Sequence, residues 1–159
     1  LALSMVSDID LKIIHLVRDA RGVAYSWSKP IRPRQRSWLD SALRWDVTNL
    51  AFELIRTTLP ETQFIRLNYE DLLRDPVSTL GNVQEFVGLD LRDLALRLRD
   101  EQPLTVGHVG IGNGFLRREQ EVRMQTTTSW PHKLPAATQS RVWHLTRFLM
   151  RRYGYDRQS

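Results

Sequence analysis

The 159-residue chain contains no cysteine. That excludes a disulfide framework and a thiolate metal site. No apolar run approaches the roughly 20 residues of a membrane-spanning helix. The four histidines, His15, His108, His132 and His144, show no metal-ligand spacing, so no metal site is expected. Lysine is nearly missing as well: only Lys12, Lys29 and Lys133 stand among the 23 basic residues, and the other 20 are arginine. The chain opens on Leu1, shows no signal-peptide pattern and reaches an apolar run within about ten residues. The expectation is one domain over residues 1–159, truncated on its N-terminal side, in a soluble cytoplasmic protein.

What is present is a basic chain of net charge +5. Arginine suits phosphate and sulfate because its planar fork donates two parallel hydrogen bonds. A basic balance alone serves nucleic acid, an anionic glycan or a polyanionic nucleotide equally. The most informative stretch is Leu11 to Lys29, LKIIHLVRDARGVAYSWSK. Ile13-Ile14-His15-Leu16-Val17 is β-branched and too short for a buried helix, so it reads as a core strand. Ala20, Val23, Ala24 and Trp27 then recur at helical spacing. Arg18 therefore stands where a buried strand ends and a helix begins. Ligands of open α/β sheets bind beyond the carboxyl ends of the strands. The first helical turn offers unpaired N–H groups to an anion. Ser26, about two turns on, becomes a second donor if Arg18 folds back along the helix. Gly22 keeps that helix face open for close approach.

The remaining elements follow from periodicity and punctuation. Lys29 to Arg36 is a proline-broken basic loop. Ser37 to Leu59 reads as a long helix capped by Ser37, with Leu39, Leu43, Val47, Leu50, Leu54 and Ile55 as its core stripe. Trp45, Asn49 and Phe52 run along an adjacent face, where an indole beside an amide suits a sugar or a hydroxylated ring. Pro60 ends the helix, and Phe64 to Leu67 forms a second strand. Tyr69 at its end can offer a ring face to a base. Glu70 and Asp71 are expected to pair with neighbouring arginines. Asp75-Pro76 starts a helix that Gly88 ends. Leu91 to Arg99 is a short amphipathic segment. Gly107 to Gly114 carries four glycines in eight residues but no following Gly-Lys-Ser/Thr. A last helix, opened by Pro135, carries Val142, Leu145, Leu149 and Tyr153.

An apolar strand, then Arg-Asp, then Arg-x-Val-x-x-Ser resembles the 3′-phosphate-binding segment of the sulfotransferases that use 3′-phosphoadenosine 5′-phosphosulfate (PAPS). Ala20 stands where that family often has proline. Asn68-Tyr69-Glu70-Asp71-Leu72 with Asp75-Pro76 resembles a second segment of the same family. The glycine-rich loop resembles the late loop of its bacterial and carbohydrate-type members, although Gly114 follows Asn113 where proline is common. The resemblance covers residues 11 to 155 and only the C-terminal part of the family's domain. It implies a P-loop NTPase-like three-layer αβα fold, partial here, with few strands and mostly helices. It implies that Arg18 and Ser26 hold the 3′-phosphate of PAPS or of its product PAP, and that Tyr69 lies near the adenine. It places His108, Gly112, Asn113 and Arg117 in a loop over the nucleotide, and Trp45 and Asn49 on the wall of a hydroxyl or amine acceptor pocket. The family's 5′-phosphosulfate loop and general base have no counterpart in the sequence, so the catalytic residues are unassigned. His15 reads as a core residue. Little or no catalysis is expected of the chain unless that part is supplied. Two other readings stay open: a P-loop kinase-like nucleotide-binding protein, and a non-enzymatic basic module for nucleic acid or anionic glycan.

Overall fold

A computed structural model describes residues 10–30, 35–105, 121–122 and 129–157. Strand β1 (Ile13–Val17) is the β-branched run, and it pairs in parallel with β2 (Phe64–Asn68), Ile13 opposite Phe64 and Val17 opposite Asn68. Parallel neighbours need a long crossover. Helices α1 (Ala20–Ser28) and α2 (Trp38–Thr57) supply it. Pro60 and a single 3-10 turn, Glu61–Gln63, end α2 and lead into β2. Helices α3 (Tyr69–Arg74), α4 (Pro76–Val87) and α5 (Arg92–Arg99) follow. A short antiparallel pair, β3 (Leu104–Thr105) with β4 (Glu121–Val122), precedes α6 (Trp130–Lys133) and α7 (Ala136–Arg152). These elements make a partial α/β arrangement, mostly helical, that includes a two-stranded parallel sheet.

The chain forms two compact units, Leu1–Glu70 with Ser129–Ser159, and Asp71–Thr128. In the first, α1, α2 and α7 pack on one another and bury Val17, Ala24, Ala42, Trp45, Val142 and Met150. In the second, α4 and α5 pack together and bury Leu80, Val83, Ala95 and Leu98. Punctuation in the sequence has the expected effect there. The Asp75 carboxylate accepts from Ser78 N at 3.1 Å, Pro76 holds the first helical position, and Gly88 ends α4 at φ 72°.

Two core stripes are corrected. Leu39, Leu43, Val47, Leu50 and Leu54 do not face the core of α2; they are 44 to 67% exposed. The buried side of α2 carries Ser41, Ala42, Trp45 and Asn49. The physical reason is partnering. The Trp45 indole N–H donates to Arg18 O at 2.8 Å, the Asn49 amide bonds in two directions, and Phe52 stacks on His15. A polar face whose hydrogen bonds are met can be buried, and small Ala42 lets the helices approach. On α7, Leu145 is 39% exposed, and Trp143, Thr146 and Met150 join Val142 and Leu149 inside. The Thr146 hydroxyl is satisfied by donating to Val142 O at 2.9 Å.

Candidate functional site

The site is built on the turn between β1 and α1. Val17 ends the strand fully buried, and Asp19 caps the helix, its carboxylate accepting from Arg21 N at 2.7 Å. The first turn of α1 is closed to an anion, contrary to expectation. Asp19 N donates to Glu70 Oε1 at 3.2 Å, Ala20 N approaches Met150 Sδ at 3.4 Å, and the Asp19 carboxylate covers Arg21 N. Two carboxylates occupy the place that an anion would take. Glu70 also corrects its expected arginine pairing, because it accepts from the Tyr155 hydroxyl; Asp71 does pair with Arg74, at 2.9 Å.

Two arginines of this turn are treated in opposite ways. Arg21 is 2% exposed and grips Asp19 with both ends of its fork, Nη2 to Oδ2 at 2.6 Å and Nε to Oδ1 at 3.0 Å. Its remaining donors reach Arg157 O at 2.9 Å and Asp156 O at 3.0 Å. Its guanidinium lies 4.6 Å from the Trp130 ring centre and 5.5 Å from that of Trp143. The sequence carries Arg21 inside the Arg-Asp-x-Arg motif, but nothing in its spacing announced a buried clamp on the chain's last residues.

Arg18 has no carboxylate partner among the described residues. Its guanidinium sits 4.6 Å over the Tyr69 ring, and its buried Nε finds no hydrogen-bond partner. It does fold back along α1: a Cβ built on Gly22 would meet Arg18 Nε at 3.2 Å and Trp130 Cδ1 at 3.0 Å. So Gly22 is what lets Arg18 lie on the helix. Ser26, half-buried, follows one turn further on α1. Tyr69 is the first residue of α3, directly after β2. Arg18 and Tyr69 are thus brought together at the carboxyl ends of the two paired strands.

A cleft of about 320 Å³ opens beside β1, between α1 and α2. Trp45 and Asn49 line it, with their hydrogen bonds committed inside the protein. Asn49 Nδ2 donates to Trp45 O at 2.7 Å, which turns its Oδ1 toward His15 Nε2 at 2.9 Å. That network assigns the proton of His15 to Nε2 and leaves Nδ1 a bare acceptor. His15 is a core residue as expected, 3% exposed and stacked on Phe52 at 4.3 Å. Burial, with a smaller contribution from Arg66, lowers its pKa from 6.5, and the Asn49 bond and Glu53 oppose that only in part. The unfolded chain then binds a proton on His15 more readily than the folded one, so stability declines as pH falls below about 6.5. In His15→Gln, urea midpoints measured from pH 7.5 down to 5.5 should fall less steeply than in the parent chain. His108, Gly112, Asn113 and Arg117 lie outside the described residues, as does most of the glycine-rich loop. Among the described residues, no helix is long and apolar enough to cross a membrane.

Comparison with known proteins gives one family. A model described as "Sulfotransferase family" matches residues 10–93. Carbohydrate sulfotransferase 1 of Rattus norvegicus is 30% identical over 100 residues, covering 52% of this chain and 24% of that protein. Carbohydrate sulfotransferase 5 of Mus musculus is 24% identical over 173 residues, covering 92% of this chain and 42% of that protein. Among solved structures, the sulfotransferase domain from the Synechococcus PCC 7002 olefin synthase matches with a TM-score of 0.62 and 25% identity, over 91% of this chain and 50% of that one. The chain spans between a quarter and a half of the length of these relatives.

Proposed function

Because the chain belongs to the sulfotransferase family, we propose that the protein moves a sulfuryl group from PAPS to a hydroxyl or amine acceptor, and that this chain holds the 3′-phosphate of the nucleotide. The observation that carries the reading is Arg18. A guanidinium at the end of a core strand, with a buried donor unmet and no carboxylate paired to it among the described residues, is a cation arranged for an anion brought from outside. The residues present fit a 3′-phosphorylated adenosine. Arg18 offers its fork, Ser26 supplies a hydroxyl on the helix that follows it, and Tyr69 supplies an aromatic surface beside the Arg18 guanidinium. His108, Gly112, Asn113 and Arg117 are assigned to the loop over the nucleotide on the resemblance alone.

When bound, PAPS would supply the activated sulfuryl group. Arg18 and Ser26 bind and orient in this scheme and do not take part in the transfer. Trp45 and Asn49 wall the acceptor side, where their internal hydrogen bonds make the wall rigid. The direct test is calorimetric titration of the chain with PAP, using 5′-AMP as control. PAP should bind at least about tenfold more tightly, the size of one charge-assisted contact. Equal affinity for the two nucleotides, or binding of neither, would overturn the assignment.

A further inference from the structure

The cleft between α1 and α2 holds an unusual set of groups. Three buried side-chain polar atoms among the described residues lack a hydrogen-bond partner: His15 Nδ1, Arg18 Nε and Ser41 Oγ. All three residues line this one cleft. His15 and Ser41 are each 3% exposed, so bulk water does not readily replace the missing partners. Buried polar groups in folded proteins are nearly always satisfied, and a concentration of exceptions marks the place where a ligand completes the set. Arg18 Nε is assigned above to the nucleotide, which leaves two of the three to this cleft: His15 Nδ1 accepts, and Ser41 Oγ does either. That mixture matches hydroxyl groups, which also do both.

The charge of the cleft is one-sided. Among the described residues, its lining includes Arg18, Arg36 and Arg44 and no acidic residue. Asp40 stands outside the lining and pairs with two of them, at 3.8 Å to Arg36 and 2.8 Å to Arg44, so positive charge remains in excess. The walls are aromatic: Trp27, with the Arg36 guanidinium 4.2 Å from its ring centre, faces the same space as Trp45. A volume of about 320 Å³ lies at the small end of ligand pockets and suits a single ring.

We propose that this cleft binds a hydroxylated ring bearing an anionic group, such as a sugar acid; resting on the donor reading above, that ring is the sulfuryl acceptor. Ser41 and His15 meet its hydroxyls, the indoles cover its apolar face, and Arg44 with Arg36 meets its charge at the rim.

The test uses para-nitrophenyl β-D-glucuronide and para-nitrophenyl β-D-glucoside, which share ring and aglycone and differ by one carboxylate. Calorimetric titration of the chain should give the glucuronide an affinity at least about fivefold higher. Arg44→Gln, at a side chain 59% exposed, should remove that preference while PAP affinity stays within about twofold. Ser41→Ala should weaken both glycosides together and leave folding stability unchanged, because Ser41 Oγ makes no hydrogen bond in the folded chain. Equal affinity for the two glycosides, binding of neither, or a preference that survives Arg44→Gln would overturn the proposal. Loss of PAP binding beside an intact glucuronide preference would overturn the donor reading and support the ligand class assigned to the cleft.

Discussion

Replacing Arg21 with alanine should cost about 3–5 kcal/mol of folding stability, the loss seen when one member of a buried ion pair is removed. Arg21 and Asp19 have side chains only 2% and 3% exposed, so the carboxylate left behind would be buried without its cation. Two backbone carbonyls, Asp156 O and Arg157 O, would lose their donors in the same step. The Trp130 and Trp143 rings would lose the guanidinium beside them. Against a total stability of about 5–15 kcal/mol, that leaves a marginal fold and a melting point lower by about 10 °C or more. A second variant identifies the cause. In Asp19→Asn with Arg21→Met the stranded charge is gone, and much of the loss should return, because a buried pair is often replaceable by apolar packing. Urea unfolding of parent, single and double variants measures both. A single-variant loss below about 1 kcal/mol would mean that the clamp on the C-terminal residues is not a principal support of the turn.

The clamp also shows where sequence reasoning reached and where it stopped. Local punctuation was legible because its physics is local. Asp75 caps α4, Pro76 opens it and Gly88 closes it in the left-handed region, and α1 runs from Ala20 to Ser28 as its spacing implied. The strand before Arg18 and the strand before Tyr69 were legible from β-branching and length, and their pairing puts both residues at one end of the sheet. What failed depended on partners far away in sequence. The leucine stripe of α2 has the better apolar periodicity, yet the face of Trp45 and Asn49 is buried, because Arg18 O and His15 satisfy its polar groups. The open first turn expected of α1 is closed by Glu70, 51 residues away, and by Met150, 130 residues away. Ser41 gave no signal at all; it becomes notable only when its hydroxyl is found buried and unpaired.

Arg18→Ala should weaken PAP binding by about 1.5–3 kcal/mol, roughly 10- to 150-fold, while leaving 5′-AMP affinity unchanged. The contrast with Arg21 makes this a clean experiment. The two arginines lie three positions apart in one motif, but among the described residues Arg21 has a carboxylate partner and Arg18 has none. Removing Arg18 strands no carboxylate among the described residues, so its loss should cost little stability. It stacks on the Tyr69 ring at 4.6 Å, a contact worth about 0.5–2 kcal/mol. The fall in affinity can then be read as lost recognition and not as lost folding. Arg18→Lys sharpens the reading, since lysine keeps the charge but lacks the planar fork. Lysine should restore part of the affinity, and the shortfall measures the two-pronged grip on the 3′-phosphate. A salt titration separates the components further: screening weakens a point charge at the surface more than a partly buried, hydrogen-bonded one. Unchanged PAP affinity in Arg18→Ala, in a variant that melts with the parent, would remove Arg18 from the nucleotide site. The unmet Nε would then belong to the neighbouring cleft, where the glycoside titrations would register its loss instead.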